Sequence, residues 1–120
     1  MKILGIHHIE LTVSDLKRSR GFYEKLPGFK VVAEYPNFIM FFNGHFYLGL
    51  TDHKQKLREK VFREANVGLD HVSFEVKSKE DLDKAAKIYG GEIKKLSNGL
   101  YILAFRDPDN IQLEFCWKEK

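Results

Sequence analysis

The clearest signal along the chain is alternation. "GIHHIELTV" (Gly5 to Val13) and "GLDHVSFEV" (Gly68 to Val76) both put apolar and polar residues on opposite faces, with the two-residue period of a half-buried strand. In the first, Ile9, Leu11 and Val13 form one face and His8, Glu10 and Thr12 the other. In the second, Val72, Phe74 and Val76 oppose Leu69, His71, Ser73 and Glu75. Each strand has a good apolar face, yet sets an imidazole and a carboxylate on the opposite one.

The two stretches align at a constant offset, and the segments after them also correspond. "SDLKRSRGFYEKL" predicts a helix with Ser14 as N-cap and Leu16, Phe22, Tyr23 and Leu26 as its apolar residues. "SKEDLDKAAKIYGG" predicts another, with Ser78 and Asp81 in capping-box spacing and Leu82, Ala85, Ala86, Ile88 and Tyr89 on one face. Pro27-Gly28 and Gly90-Gly91 are the stop signals. Three short strands are then predicted in each half: near "FKVVAEY", "FIMFF" and "HFYLGLT", and near "GEIKKL", "LYILAF" and "IQLEFCW". Asn43-Gly44 and Asp107-Pro108-Asp109-Asn110 mark turns before the last strand of each half. The chain reads as one α+β domain, 1–120, made of two β-α-β-β-β modules (about 1–52 and 67–120). A charged connector of about 53–66, expected to be helical, joins them.

Parity adds a second regularity. On "HFYLGLT", Phe46, Leu48 and Leu50 take the apolar face and leave Tyr47, Gly49 and Thr51 on the other. On "IQLEFCW", Ile111, Leu113, Phe115 and Trp117 leave Gln112, Glu114 and Cys116. His8, Gly49, His71 and Glu114 then stand mid-strand on four non-core faces. Two imidazoles and a carboxylate on one concave sheet are the donors of a two-His, one-carboxylate site, which grips one face of a divalent ion and leaves positions open. Such donors suit Fe(II), Mn(II), Zn(II) and Ni(II) alike. By the repeat, His8 pairs with His71 and Gly49 with Glu114, so a four-point site has lost one point. Water or substrate is expected in the place Gly49 leaves. A single strand histidine is more often structural, and the repeat-equivalent pair reverses that preference. His7, on the opposite parity, is expected to be structural beside the apolar face, and His45 and His53 to face solvent.

Bulk properties narrow the classes of partner. At 120 residues, 43% hydrophobic and 31% charged, the chain has the make-up of one ordinary globular domain. Its net charge of +3 is spread among scattered lysines and acids, which argues against nucleic-acid and membrane-surface binding. A single cysteine, Cys116, excludes an internal disulfide framework. "MKILGIHHIELTV" lacks the unbroken apolar run of a secretory signal, so a cytoplasmic location is expected.

The run "HHIELTVSDLKRSRGFYEKLPGFKV", then "GLDHVSFEV", then "FRDPDNIQLEF" resembles the vicinal oxygen chelate superfamily, over essentially the whole chain. That superfamily includes glyoxalase I, fosfomycin-resistance proteins, methylmalonyl-CoA epimerase, extradiol dioxygenases and bleomycin-binding proteins. The resemblance implies a glyoxalase-like fold, with paired modules forming an open curved sheet around one divalent metal. At this length it also implies a homodimer completed by module exchange. Sites are then shared, with His8 from one chain and His71 and Glu114 from its partner. The family's ligand positions fall on His8, Gly49, His71 and Glu114, of which three are filled. Bleomycin-binding members usually lack these ligands. Glyoxalase I and the epimerase carry a side chain where Gly49 stands, so the pattern is more similar to extradiol dioxygenases and fosfomycin thiol transferases. The transferases place a lysine where Lys94 stands, but this chain has Asn98, Ile102 and Ala104 where they carry hydroxyl residues and a tyrosine. The dioxygenases use an acid-base tyrosine, a place Tyr47 or Tyr101 would fill, and a histidine with no clear counterpart here.

By this resemblance the chain is expected to be a divalent-metal-dependent oxygenase, lyase or transferase that chelates vicinal oxygens of a small molecule. The alternative is a drug- or metabolite-binding resistance protein without turnover. Glu10 and Glu75, two and four residues beyond the metal histidines on the same faces, are candidate bases, and Tyr47 a further catalytic candidate. By the repeat, Phe38, Met40 and Phe42 correspond to Ile102, Ala104 and Arg106, and all should line a cavity with Tyr47 and Gln112. That lining suits a compact apolar or aromatic body with an anionic oxygen group, paired by Arg106 or by Lys94.

Overall fold

The computed structural model describes residues 1–54, 57 and 59–119. They fall into two units, Met1–Lys60 and Val61–Lys120.

In the first unit, the alternation of "HHIELTV" becomes β1 (His8–Thr12), and the helix pattern becomes α1 (Leu16–Tyr23). The strands β2 (Lys30–Tyr35), β3 (Phe38–Phe42) and β4 (Tyr47–Thr51) come next. Their order in the sheet is β1-β4-β3-β2, with β1 parallel to β4 and the other pairs antiparallel. Leu11, Val13, Ile39, Phe41, Leu48 and Leu50 form the buried face, and Tyr23 and Leu26 pack into it. The cap of α1 is Asp15, not Ser14. The Asp15 carboxylate accepts the Arg18 backbone N–H at 3.1 Å, while the Ser14 hydroxyl accepts from the Arg18 guanidinium at 2.9 Å. The helix stops at Tyr23, short of Pro27-Gly28, and successive turn bonds carry the chain on: Leu26 N–H to Tyr23 O and Phe29 N–H to Leu26 O.

The second unit repeats the plan with β5 (Val72–Glu75), α2 (Lys79–Tyr89), β6 (Lys94–Lys95), β7 (Leu100–Arg106) and β8 (Gln112–Lys118). The sheet order is β5-β8-β7-β6, again with the first strand parallel to the last. Ser78 caps α2, its hydroxyl accepting the Asp81 N–H at 3.3 Å, and Gly90 ends it at φ +77°. Leu82 and Ala85 are buried, but Ile88 is 69% exposed. The inward stripe runs i, i+3, i+4, i+7, from buried Leu82 and Ala85 through half-buried Ala86 and Tyr89, and Ile88 steps off it. Tyr89 stacks on Phe105 at 4.6 Å between ring centroids, and Phe105 on Phe115 at 5.0 Å. Gly91, at φ +91°, passes so close to β7 that a Cβ there would meet the Ala104 carbonyl oxygen at 3.0 Å.

The connector departs from expectation. Its described residues form no α-helix, and positions 55, 56 and 58 lie outside the described residues. Phe62 is instead tied to the β7–β8 turn, and Glu64 to Arg106 at the end of β7. The Phe62 N–H donates to Asp109 O at 2.8 Å and the Asn110 amide to Phe62 O at 3.1 Å. Backbone groups committed to the turn are unavailable for helical bonds. Among the described residues, no helix is long and apolar enough to cross a membrane.

Candidate functional site

Strand register sets corresponding side chains in rows across each sheet. The first unit has Glu10–Gly49–Met40 where the second has Ser73–Glu114–Ala104. Next to these rows, Phe38 faces Thr51 in one sheet and Ile102 faces Cys116 in the other. Residue sizes are exchanged between the two rows. Glu114, the large member of its row, stands between Ser73 and Ala104, whereas Gly49 is flanked by Glu10 and Met40.

A cavity of about 330 Å3 opens beside the small residues of the second sheet, lined by Glu92, Lys94, Ile102, Ala104, Gln112 and Glu114. Glu114 is only 8% exposed. Burying a carboxylate this far is costly unless a cation faces it. Its oxygen lies 3.5 Å from His71 Nε2. On the far side of that ring, His71 Nδ1 lies 2.7 Å from Asp70 Oδ1. A carboxylate only accepts, so a neutral ring bonded to Asp70 would hold its proton on Nδ1. Nε2 and the Glu114 oxygen then face each other as two acceptors, an arrangement that a proton or a metal cation satisfies. An ion bonded at about 2.1 Å to both would subtend roughly 110° between them, so the pair fits as two ligands of one ion.

In the first unit, His8 stands exposed at the start of β1, paired in register with Tyr47. Its Nδ1 lies 3.0 Å from His7 Nδ1. His7 does not sit beside the apolar face. It is exposed, its ring tilted against Tyr47 at 5.1 Å, and Tyr47 stacks in turn on Phe42 at 4.5 Å. The place that Gly49 leaves is not open to water: a Cβ there would meet Phe38 Cε2 at 3.0 Å and Glu10 Cγ at 3.1 Å. The Phe38 ring and the Glu10 stem fill the space.

The remaining expected residues scatter. Among the described residues, no three His, Cys, Asp or Glu come together around a point that would hold one ion. His71 and Glu114 meet, and His8 belongs to the other unit. Glu10 and Glu75 are both exposed on their strands, Glu75 paired in register with Cys116. Lys94 lines the cavity. Arg106 does not: its guanidinium forks onto both Glu64 oxygens at 2.8 and 2.9 Å and reaches Asn110 O and Gln112 Oε1. This contact holds the Glu64 carboxyl well below its usual value, at about 2. Sequence reading passed over Glu64, Asp70 and Glu92. Asp70 carried a legible signal, because it immediately precedes His71 as His7 precedes His8. A larger groove of about 610 Å3 in the first unit, near Asp15 and Tyr35, holds none of the expected residues, and Arg20 and Glu34 pair with each other on its wall.

Residues 5–115 match the family described as the Glyoxalase/Bleomycin resistance protein/Dioxygenase superfamily. The chain belongs to this superfamily. Its members typically use a divalent metal and bind small-molecule substrates. Within it, the chain is 31% identical over 122 residues to the protein YqjT of Bacillus subtilis (strain 168), covering 91% of this chain and 95% of that one. The crystal structure of a glyoxylase/bleomycin resistance protein/dioxygenase domain from Frankia sp. EAN1pec superposes with a TM-score of 0.82 at 31% identity, over 99% of this chain and 95% of that one. Lactoylglutathione lyase from Agrobacterium tumefaciens is similar in fold, with a TM-score of 0.75 at 24% identity over 97% and 95% of the two chains. The α+β, twice-repeated architecture read from the sequence is thus the superfamily fold.

Proposed function

We propose that the chain is a divalent-metal-dependent enzyme of this superfamily, acting on a small molecule with vicinal oxygens. The observation that carries the reading is the His71–Glu114 pair, 3.5 Å apart, whose carboxylate lines the 330 Å3 cavity. His71 and Glu114 are the residues that would hold the ion, and His8 would complete the set. A bound divalent ion with open positions polarises oxygens and stabilises developing negative charge on them. Around it the chain's own groups position the substrate: Ile102 and Ala104 face the apolar body, while Lys94 pairs an anionic group. Glu10, Glu75 and Tyr47 are candidates for proton transfer.

In this reading His8 comes from a second copy of the chain, in a homodimer formed by module exchange. Two features support a partner. The strands β1 and β5 each lie at the edge of their sheets. The segments leading into them expose apolar side chains at repeat-equivalent positions: Leu4 at 91%, Ile6 at 70%, Val67 at 108% and Leu69 at 40%. Exposed apolar residues beside an open edge mark a surface built to be covered.

Sequestration of a drug or metabolite without turnover is the second reading, favoured by the closure of the Gly49 position by Phe38.

A complementation assay tests the first reading. A His8→Ala chain mixed with a Glu114→Ala chain should recover one intact site per mixed dimer, read as bound metal and as turnover of catechols, 2-oxoaldehydes or thiol-plus-epoxide pairs. Metal content under about a tenth of an equivalent in wild-type protein, with no stabilisation on titration, would sink it. Bound metal without turnover of any of these classes would favour sequestration.

A further inference from the structure

We infer that the residue immediately before each candidate metal histidine is its positioning residue: Asp70 for His71, and His7 for His8. The inference rests on the proposed metal site and concerns how each ring is presented to the ion. In a regular strand, neighbours point to opposite faces and do not meet. Here β5 begins only at Val72 and β1 only at His8, so the pairs 70–71 and 7–8 escape that alternation. The glycines three residues before the histidines, Gly5 at φ +157° and Gly68 at φ +140°, repeat the same approach to each strand. In both units the result is a short contact at Nδ1: 2.7 Å from Asp70 Oδ1 to His71, and 3.0 Å between the His7 and His8 Nδ1 atoms.

The chemistry of the two contacts differs. A histidine ligand keeps its tautomer and ring orientation through a bond from its second nitrogen, and a carboxylate partner also makes the ligating nitrogen more basic. Asp70 only accepts, so it fixes His71 with the proton on Nδ1 and the lone pair on Nε2, facing Glu114. His7 either donates or accepts. It serves His8 only when its own proton sits on Nε2 and its Nδ1 takes the His8 proton. The ring contact with Tyr47 holds the His7 imidazole in place for that role. Asp70 makes His71 a ligand fixed before the ion arrives, while His8 becomes one only in one of two arrangements of the His7–His8 pair.

The test reads tautomers directly in the metal-free full chain, by long-range 15N–1H correlation of the imidazoles, alongside Zn(II) titration. Wild-type His71 should carry its proton on Nδ1. Asp70→Ala should shift it toward the Nε2–H form, which free imidazole side chains favour, and weaken Zn(II) binding by about 10–100-fold. Asp70→Asn keeps an acceptor oxygen and should restore the tautomer and most of the affinity. His7→Phe keeps a ring against Tyr47 but removes the acceptor, and should loosen the His8 tautomer alone. An unchanged His71 tautomer in Asp70→Ala overturns the positioning role. A wild-type chain whose tautomers respond as described but which takes up no Zn(II) overturns the metal site, and the ligand-positioning role with it.

Discussion

His71 Nε2 and Glu114 Oε1 face each other at 3.5 Å, and on the far side of the ring Nδ1 lies 2.7 Å from Asp70 Oδ1. The closeness of these two acceptors makes the buried carboxylate a cation-seeking group. Glu114→Gln keeps its shape and removes its charge. Loss of an outer partner costs about 10–100-fold in metal affinity, so if Glu114 is a ligand as proposed, its loss is expected to cost on the order of 100-fold or more. Calorimetric titration with Zn(II) measures it, and equal affinity in the variant would remove Glu114 from the site. In the metal-free state the variant should melt no lower than wild type, because a buried charge has been removed.

Gly49 is where the two units differ in filling. Gly49→Ala places a Cβ against the edge of the Phe38 ring and the stem of Glu10, and should change stability by less than about 1 kcal/mol. Gly49→Glu must displace the Phe38 ring and should cost about 1–3 kcal/mol, the range for overfilled packing. Phe38→Ala in the same chain should recover part of that loss. Chemical denaturation of the four proteins checks the cycle, and additive losses would show that Phe38 is not the obstacle.

Lys94, rather than Arg106, is the cation on the cavity wall. Lys94→Met should weaken a carboxylated catechol by about 1.5–3 kcal/mol, the range for hydrogen bonds to charged groups, and spare the uncharged catechol. Arg106→Met should leave both nearly unchanged. Equal losses from the two variants would return Arg106 to the binding surface.

Acid titration reads the Arg106–Glu64 fork. The Glu64 carboxyl is held at about 2 in the folded chain by the Arg106 guanidinium, against an ordinary value of 4.5. A lowered folded value stabilises above the unfolded one and is lost as the pH falls through the folded one. The contribution is therefore complete above about pH 4.5 and fades toward pH 2. Thermal melts of Glu64→Gln should fall below wild type at neutral pH and converge with it near pH 2. A constant gap across that range would assign the loss to packing.

Strand faces were legible because period-two alternation is set by burial alone. The rows Phe38–Thr51, Met40–Gly49 and Phe42–Tyr47, matched by Ile102–Cys116, Ala104–Glu114 and Arg106–Gln112, fall in the register the repeat implies. What parity cannot reveal is a contact made where a strand has not yet begun. His7 was misplaced for that reason, and Asp70 passed over. Arg106 had the right face, but Glu64 is 42 positions away, and no local pattern announces such a pairing. Part of the expected connector helix lies outside the described residues, and among the described ones Phe62 has both backbone groups bound by the distant Asp109–Asn110 turn.

Because β1 pairs with β4, and β5 with β8, the first strand of each module has no partner until the last strand of that module has left the ribosome. Contacts so distant along the chain form late, and an unpaired strand is prone to stick to other chains while it waits. Residues that keep such an edge in water are charged or polar. On β1 these are His8, Glu10 and Thr12, and around β5 they are His71, Ser73 and Glu75. The side chains proposed for the site are thus also the ones expected to hold the nascent strands in water. Replacing all three on either strand with apolar residues should therefore lower the yield of newly made chains even where the finished fold could accommodate the change.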